Sequence, residues 1–275
     1  MKSIKLYLEP ARELYLPYAH FPTLRGLAYR LIERGDAALA AELHDRRYRN
    51  QKPFKFFCFS DIGGHYVNNG KHLIYKQRFI WELRSADDRV IDAVARAVKK
   101  EPSAQIGSSR CEIASYEINE KRFCRDELIV TLKPPLKRAY PQACVSYLNT
   151  PITVYRTDRT DYRHFFHPAE EAFIDGVVKN IKNKYEMFYE KPLPGDVLFI
   201  CKHVSQKDKC ITYPDGTSDH SEQEENKGRS AEAWYGAYYL KADPQVLEFI
   251  YHTGLGTNNS TGFGFFTDSS KEESY

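Results

Sequence analysis

Five basic residues crowd one short stretch, Arg46, Arg47, Arg49, Lys52 and Lys55, and the aromatics Tyr48, Phe54, Phe56 and Phe57 are interleaved with them. Cationic side chains attract phosphates and aromatic faces stack bases, so this is the composition of a nucleic-acid contact. A solvated turn leading into a half-buried strand would read the same way. A second stretch, His252 to Phe266, spaces Gly254, Gly256, Gly262 and Gly264 as two GxG pairs around five polar residues. Glycine permits positive φ and close backbone approach, and clustered N–H groups could face a phosphate backbone. It is neither a Walker A loop nor a dinucleotide fingerprint: Gly-Lys-Ser/Thr is missing and the spacing differs. A glycine-rich hairpin is the plainer reading. No carboxylate cluster and no His/Cys set has metal-ligand spacing, so the expected chemistry uses neither metal nor cofactor.

The elements that must carry these stretches follow from composition and pattern. The 275 residues hold 40 Lys+Arg against 37 Asp+Glu, a formal charge of +3. That balance is uneven: residues 215–275 carry −7 and residues 1–214 carry +10. With 28% charged and 42% hydrophobic residues the chain is globular, long enough for one large domain or two ordinary ones. No apolar run is long enough to span a bilayer. Lys and Glu interrupt MKSIKLYLEP where a signal peptide needs an apolar stretch. The six cysteines are scattered without a CxxC pair, so the expectation is a cytoplasmic protein with free thiols.

Ile4, Leu6 and Leu8 alternate as on a strand. Leu24, Leu27, Ala28 and Leu31 stripe a helix opened by Phe21-Pro22, and Asp36 caps a short second helix through Leu43. Residues 54–62 and 72–84 read as two antiparallel strands, Val90 to Val98 as a helix, and 105–118 as a strand. The order is β-α-β-β-α-β, the ferredoxin-like arrangement. Strands at 127–132, 152–156, 196–204 and 233–240, a helix opened by Pro168 and another capped by Asp243 repeat that outline, with Phe263–Phe266 closing the sheet. Residues 205–230 read as a long hairpin insertion.

The string from Gly254 to Gly264, GLGTNNSTGFG, resembles the C-terminal signature of the RAMP superfamily (repeat-associated mysterious proteins). LPYAH from Leu16 to His20, GLAYRLI from Gly26 to Ile32, LHD from Leu43 to Asp45, FCFS from Phe57 to Ser60, TPITVY from Thr150 to Tyr155, Lys184-Tyr185 and Tyr235-Gly236 extend the likeness. Together they resemble the CRISPR-associated endoribonuclease that processes precursor crRNA, the sixth-numbered Cas family.

The resemblance implies an α+β protein of two tandem ferredoxin-like (RRM-like) domains, at 1–122 and 123–275. The first would carry the catalytic residues and the second the glycine-rich RNA-binding loop. It implies metal-independent cleavage within CRISPR repeat RNA: the 2′-hydroxyl attacks the adjacent phosphorus and leaves 5′-hydroxyl and 2′,3′-cyclic phosphate ends. Tyr29 falls at the family's base and His44 at its acid. The helix-end position of His44 favours the protonated form an acid needs, whereas a tyrosine is a poor base at neutral pH and suits orienting the 2′-hydroxyl. The catalytic lysine is Lys52 or Lys55, with a lean to Lys52, because Lys55 inside an alternating strand could point away from the cleft. Arg46, Arg47, Arg49 and the four loop glycines are the RNA-binding candidates, and His20 is read as capping or structural. The implied partners are precursor crRNA and subunits of a CRISPR effector complex, with the protein a monomer or homodimer. The alternative is a non-catalytic RNA-binding RAMP subunit.

Overall fold

The computed structural model describes residues 1–45, 54–135, 143–160, 162–212 and 230–268. Arg46, Arg47, Arg49, Lys52 and the centre of the expected 205–230 insertion lie outside the described residues. The first half contains β1 (Lys2–Pro10), β2 (Leu14–Pro17), α1 (Phe21–Gly35), α2 (Ala37–Asp45), β3 (Phe57–Phe59), β4 (Gly64–Asn68), β5 (His72–Tyr75), β6 (Phe79–Ser85), α3 (Asp88–Lys100), β7 (Ser103–Ile106) and β8 (Ser109–Asn119). Its main sheet runs β3-β6-β1-β8-β7, all antiparallel. Without the edge strand β7 this is the ferredoxin-like order, with β1 central and α1 and α3 as the two crossover helices.

The helix pattern is the one the apolar spacing dictates. Leu24, Leu27, Ala28 and Leu31 of α1 and Val90, Ile91, Val94, Ala97 and Val98 of α3 are buried. The caps are side chains: Asp36 Oδ1 accepts from Leu39 N at 3.0 Å and Asp87 Oδ1 from Arg89 N at 3.1 Å. Gly35 ends α1 where a Cβ would stand 1.8 Å from the Ala93 carbonyl oxygen, so the two helices meet there by backbone contact.

Two strand expectations are corrected. The 72–84 run is broken by the exposed Lys76, Gln77 and Arg78. Its first part, β5, joins the small sheet β10-β4-β5-β2, while β6 joins the main sheet. The 54–62 run shrinks to β3, because Phe56 has a φ of 48° and a left-handed residue cannot continue the ladder.

The second half contains β9 (Glu127–Leu132), β10 (Ala143–Ser146), β11 (Tyr155–Thr157), β12 (Arg163–Phe165), α4 (Glu171–Tyr189), β13 (Leu198–His203), β14 (Lys209–Thr212), β15 (Ala231–Trp234), β16 (Gly236–Lys241) and α5 (Pro244–Thr253). Its sheet runs β13-β16-β9, again with the first strand beside the third, and α4 and α5 supply Phe173, Val177, Ile181, Phe249 and Ile250 to its core. Phe263–Phe266 does not close this sheet. It lies against residues 150–151, through Gly264 N to Pro151 O and Thr150 N to Phe265 O, both 2.9 Å. The fold is α+β, with two tandem ferredoxin-like units, the second of three described sheet strands.

Arg84 locks the halves together. Its buried guanidinium pairs with Glu82 at 2.7 Å, donates to Phe266 O at 2.7 Å, and lies 3.6 and 3.9 Å from the ring centroids of Tyr251 and Phe265. A buried cation with a carboxylate, a carbonyl and two ring faces is fully partnered. His20 does comparable work at the start of α1: one ring nitrogen lies 3.1 Å from Pro17 O, the other 2.6 Å from Asp61. It makes no side-chain cap. No helix among the described residues is long and apolar enough to cross a membrane, and none of the six cysteines, all among the described residues, is in a disulfide.

Candidate RNA-cleavage site and cleft

The corner at Gly35–Asp36 folds α2 back along α1 and lays the exposed His44, in the last turn of α2, over Tyr29. The ring centroids are 4.7 Å apart at 31°. Phe57 of β3 meets the Tyr29 ring edge-on at 5.9 Å. Two residues earlier in the chain, Lys55 donates from Nζ to Tyr29 Oη at 2.6 Å. Lys55 does not sit in a strand. It precedes the left-handed Phe56, whose ring is buried against Phe188 and Phe249 of the second half. A bulky residue at positive φ is strained, and here that backbone turn coincides with Lys55 facing Tyr29.

The electrostatics follow from burial. Desolvation pushes Tyr29 up to about 12, against the pull of Arg25 one turn earlier on α1. The phenol therefore keeps its proton at neutral pH and serves as a neutral hydrogen-bonding group. Desolvation, helped by Arg25, lowers Lys55 from its ordinary value.

Beside this cluster a cleft of about 340 Å³ opens between the halves. Phe54, Lys55 and Phe57 line it from one side; Tyr155, Asn180, Lys184 and Thr257–Thr261 line it from the other. Lys55 thus touches both the Tyr29–His44 pair and the cleft.

The four glycines of the C-terminal loop form this wall without facing the cleft. All are buried and all have positive φ, 80° at Gly254, 68° at Gly256, 105° at Gly262 and 73° at Gly264. A Cβ on Gly264 would lie 1.9 Å from Leu255 O, and one on Gly256 2.6 Å from Thr153 O. Their freedom shapes the loop. The half-buried Thr257, Asn258, Ser260 and Thr261 between them are what a ligand would meet.

Of the residues singled out from sequence, the structure gathers Tyr29, His44 and Lys55, and buries Gly254, Gly256, Gly262 and Gly264. Lys52, Arg46, Arg47 and Arg49 lie outside the described residues. Sequence reasoning missed Arg25, Asn180, Lys184 and the polar loop residues as parts of the site. Arg25 stands one helical turn before Tyr29, a spacing that could have exposed it. Among the described residues no group of three or more His, Cys, Asp or Glu could hold a metal ion.

Residues 133–267 match the family model described as CRISPR associated protein Cas6, C-terminal. That stretch of the chain is similar to the Cas6 C-terminal domain. The chain is 22% identical over 255 residues to the CRISPR-associated endoribonuclease Cas6 of Pyrococcus furiosus, covering 92% of this chain and 83% of that protein. It is 24% identical over 276 residues to the CRISPR-associated endoribonuclease Cas6 2 of Methanocaldococcus jannaschii, covering 95% and 97%. The solved structure of a Cas6-related protein from Pyrococcus furiosus superposes with a TM-score of 0.73 at 15% identity over 99% of both chains. The Cas6 C-terminal match contains α4, α5 and the glycine loop, while Tyr29, His44 and Lys55 lie outside it.

Proposed function

We propose that this protein is a Cas6 endoribonuclease that cuts within CRISPR repeat RNA to release crRNA, without a metal ion. The observation that carries the reading is the Lys55–Tyr29–His44 cluster at the edge of the cleft between the halves. Internal attack on a phosphodiester needs an oriented 2′-hydroxyl, positive charge at the phosphate and an acid for the leaving oxygen. Tyr29, held neutral by burial, accepts the hydrogen bond of the 2′-hydroxyl and relays its proton to water. Lys55 supplies the charge. His44, exposed at its helix end, protonates the departing oxygen. The 2′-O–P bond forms as the P–O5′ bond breaks, leaving a 2′,3′-cyclic phosphate and a 5′-hydroxyl.

The same proposal divides the chain at 1–122 and 123–275. Two cores support that division: one is built mainly from residues 4–113, the other mainly from 123–266. Arg46, Arg47 and Arg49, outside the described residues, are proposed as further contacts to the RNA backbone. We place the protein in the cytoplasm as a monomer or homodimer that passes its product to effector subunits.

One 2′-deoxy nucleotide immediately 5′ of the scissile phosphate tests the reading. Cleavage at that bond should stop while RNA affinity stays within about threefold. Continued cutting there would overturn the internal-nucleophile mechanism. A protein that binds the unmodified repeat but never cuts it would be the RNA-binding RAMP subunit instead.

A further inference from the structure

Lys184 is the most deeply buried charge in the cleft wall. It projects from α4, a helix otherwise burying Phe173, Val177, Ile181 and Tyr185, and is 2% exposed. Its Nζ lies 2.6 Å from Gly254 O, 3.0 Å from Asn259 Oδ1 and 3.4 Å from Thr253 O. Asn259 in turn donates from Nδ2 to Leu255 O at 2.8 Å and Phe263 O at 3.0 Å. One amine thus ties α4 to both arms of the glycine loop.

Three oxygen acceptors surround that nitrogen. A neutral amine has two hydrogens and a lone pair, and the lone pair would face one of the oxygens. The geometry therefore calls for the ammonium form. Yet among the described residues no carboxylate forms an ion pair with it. The nearby Cys58 thiol on β3 is pushed up to about 12, mainly by burial, and stays neutral. His252, adjacent to Thr253 on α5, is pushed down to about 3 by burial and is neutral also. Lys55, on the facing wall, is a further cation. A buried cation without an anion is unfavourable, and the cleft it borders is where an anion can approach.

We propose that Lys184 is a positioning residue whose protonation is coupled to RNA in the cleft: its ammonium holds the loop in shape and receives its missing counter-charge from a phosphodiester of the bound strand. The inference rests on the RNA-binding part of the function proposed above and is independent of the cleavage step. The three donors of Lys184 are already engaged, so the phosphate acts through space on a buried charge, where charge interactions are strong. Burial lowers Lys184 to about 7 in the free protein. At pH 8 burial works against the ammonium that the three acceptors call for, so the free protein holds that proton incompletely and an entering polyanion draws it back on. At pH 6 the proton is already present and little uptake remains from this group.

Calorimetric titration of a 12-nucleotide oligouridylate, at pH 8 in two buffers of different ionisation enthalpy, reads this directly. The wild type should take up a substantial fraction of a proton. Lys184→Arg, permanently charged, should bind without that share of the uptake. Lys184→Met should lose it too and lower the slope of log affinity against log salt by about 1. A merely structural lysine would leave proton uptake unchanged in Lys184→Arg. Equal uptake in the wild type and Lys184→Arg, or binding by the wild type with no uptake at pH 8, overturns the inference. Repeat RNA that is bound with the expected uptake but never cut would remove the cleavage reading and leave this one standing.

Discussion

The two parts of the molecule that the sequence marks for chemistry are built on opposite principles. Around Tyr29 the chemistry belongs to side chains: a half-buried phenol, an exposed imidazole and a lysine, gathered from two helices and the segment before β3. Around Gly254–Gly264 it belongs to the backbone, with positive φ at every glycine and buried Asn259 and Lys184 saturating the carbonyls. The first region trades few fixed contacts for reactive groups near solvent. The second uses dense internal hydrogen bonding to present a polar rim. The comparison teaches that a motif specific enough to identify a family can owe its specificity to backbone geometry rather than to contact with the substrate.

The contrast breaks most sharply at His44. His44→Ala should slow single-turnover cleavage by roughly 10²–10⁴-fold, the range for a positioned acid, with RNA affinity and thermal stability unchanged. A variant that cuts at the wild-type rate would remove His44 from the side-chain region.

Gly264→Ala should do the reverse. Left-handed backbone costs an L residue roughly 1–2 kcal/mol, and the added Cβ meets the Leu255 carbonyl at 1.9 Å. A loss of about 3 kcal/mol or more in denaturant unfolding is expected. The fraction that stays folded should still cut. As a control, Gly70 has a φ of 84° with nothing within 4 Å of its Cβ position, so Gly70→Ala should cost only the backbone term. Equal losses at the two glycines would refute the packing half of the argument.

The smallest effect sharpens the link between the regions. His20 precedes Phe21, whose ring meets Phe263 of the loop at 5.5 Å, and it starts the helix that carries Tyr29. Burial alone would lower its pKa, but the Asp61 carboxylate prevails and raises it above the usual 6.5. A raised folded value means the protonated pair stabilises fully below about 6.5 and loses that contribution as pH rises through the folded pKa. The melting-temperature gap between wild type and His20→Gln should therefore narrow from pH 6 upward. A gap that widens would show that the neutral ring is the stabilising form.

Most of the first unit is legible in the pattern, because its signals are local. The alternation of Ile4, Leu6 and Leu8, the stripe of α1, and the cap Asp36 each act within a turn or two of themselves. The fate of residues 54–62 was not legible: nothing in KFFCF announces that Phe56 adopts positive φ to bury its ring in the other half. The expectation that Lys55 lies in a strand failed for that reason, and Lys52, which that expectation favoured, lies outside the described residues. Phe263–Phe266 failed similarly, since burial of Phe265 and Phe266 near Arg84 outweighed sheet pairing.

By itself the sequence determined the β-α-β-β-α-β order of the first unit's main sheet and helices, the α+β class, the glycines' need for conformational freedom, and the identity of Tyr29 and His44 as a pair to examine. Local propensity, capping and side-chain period act over a few residues, and family likeness adds the rest. Only the tertiary structure decided that Lys55 reaches Tyr29, that the glycines turn inward, and that Lys184 lies buried beneath the cleft. Those outcomes join positions 26 to 75 residues apart in the chain. The free energy of a buried charge or a strained φ depends on what packing places around it, which no neighbouring residue specifies.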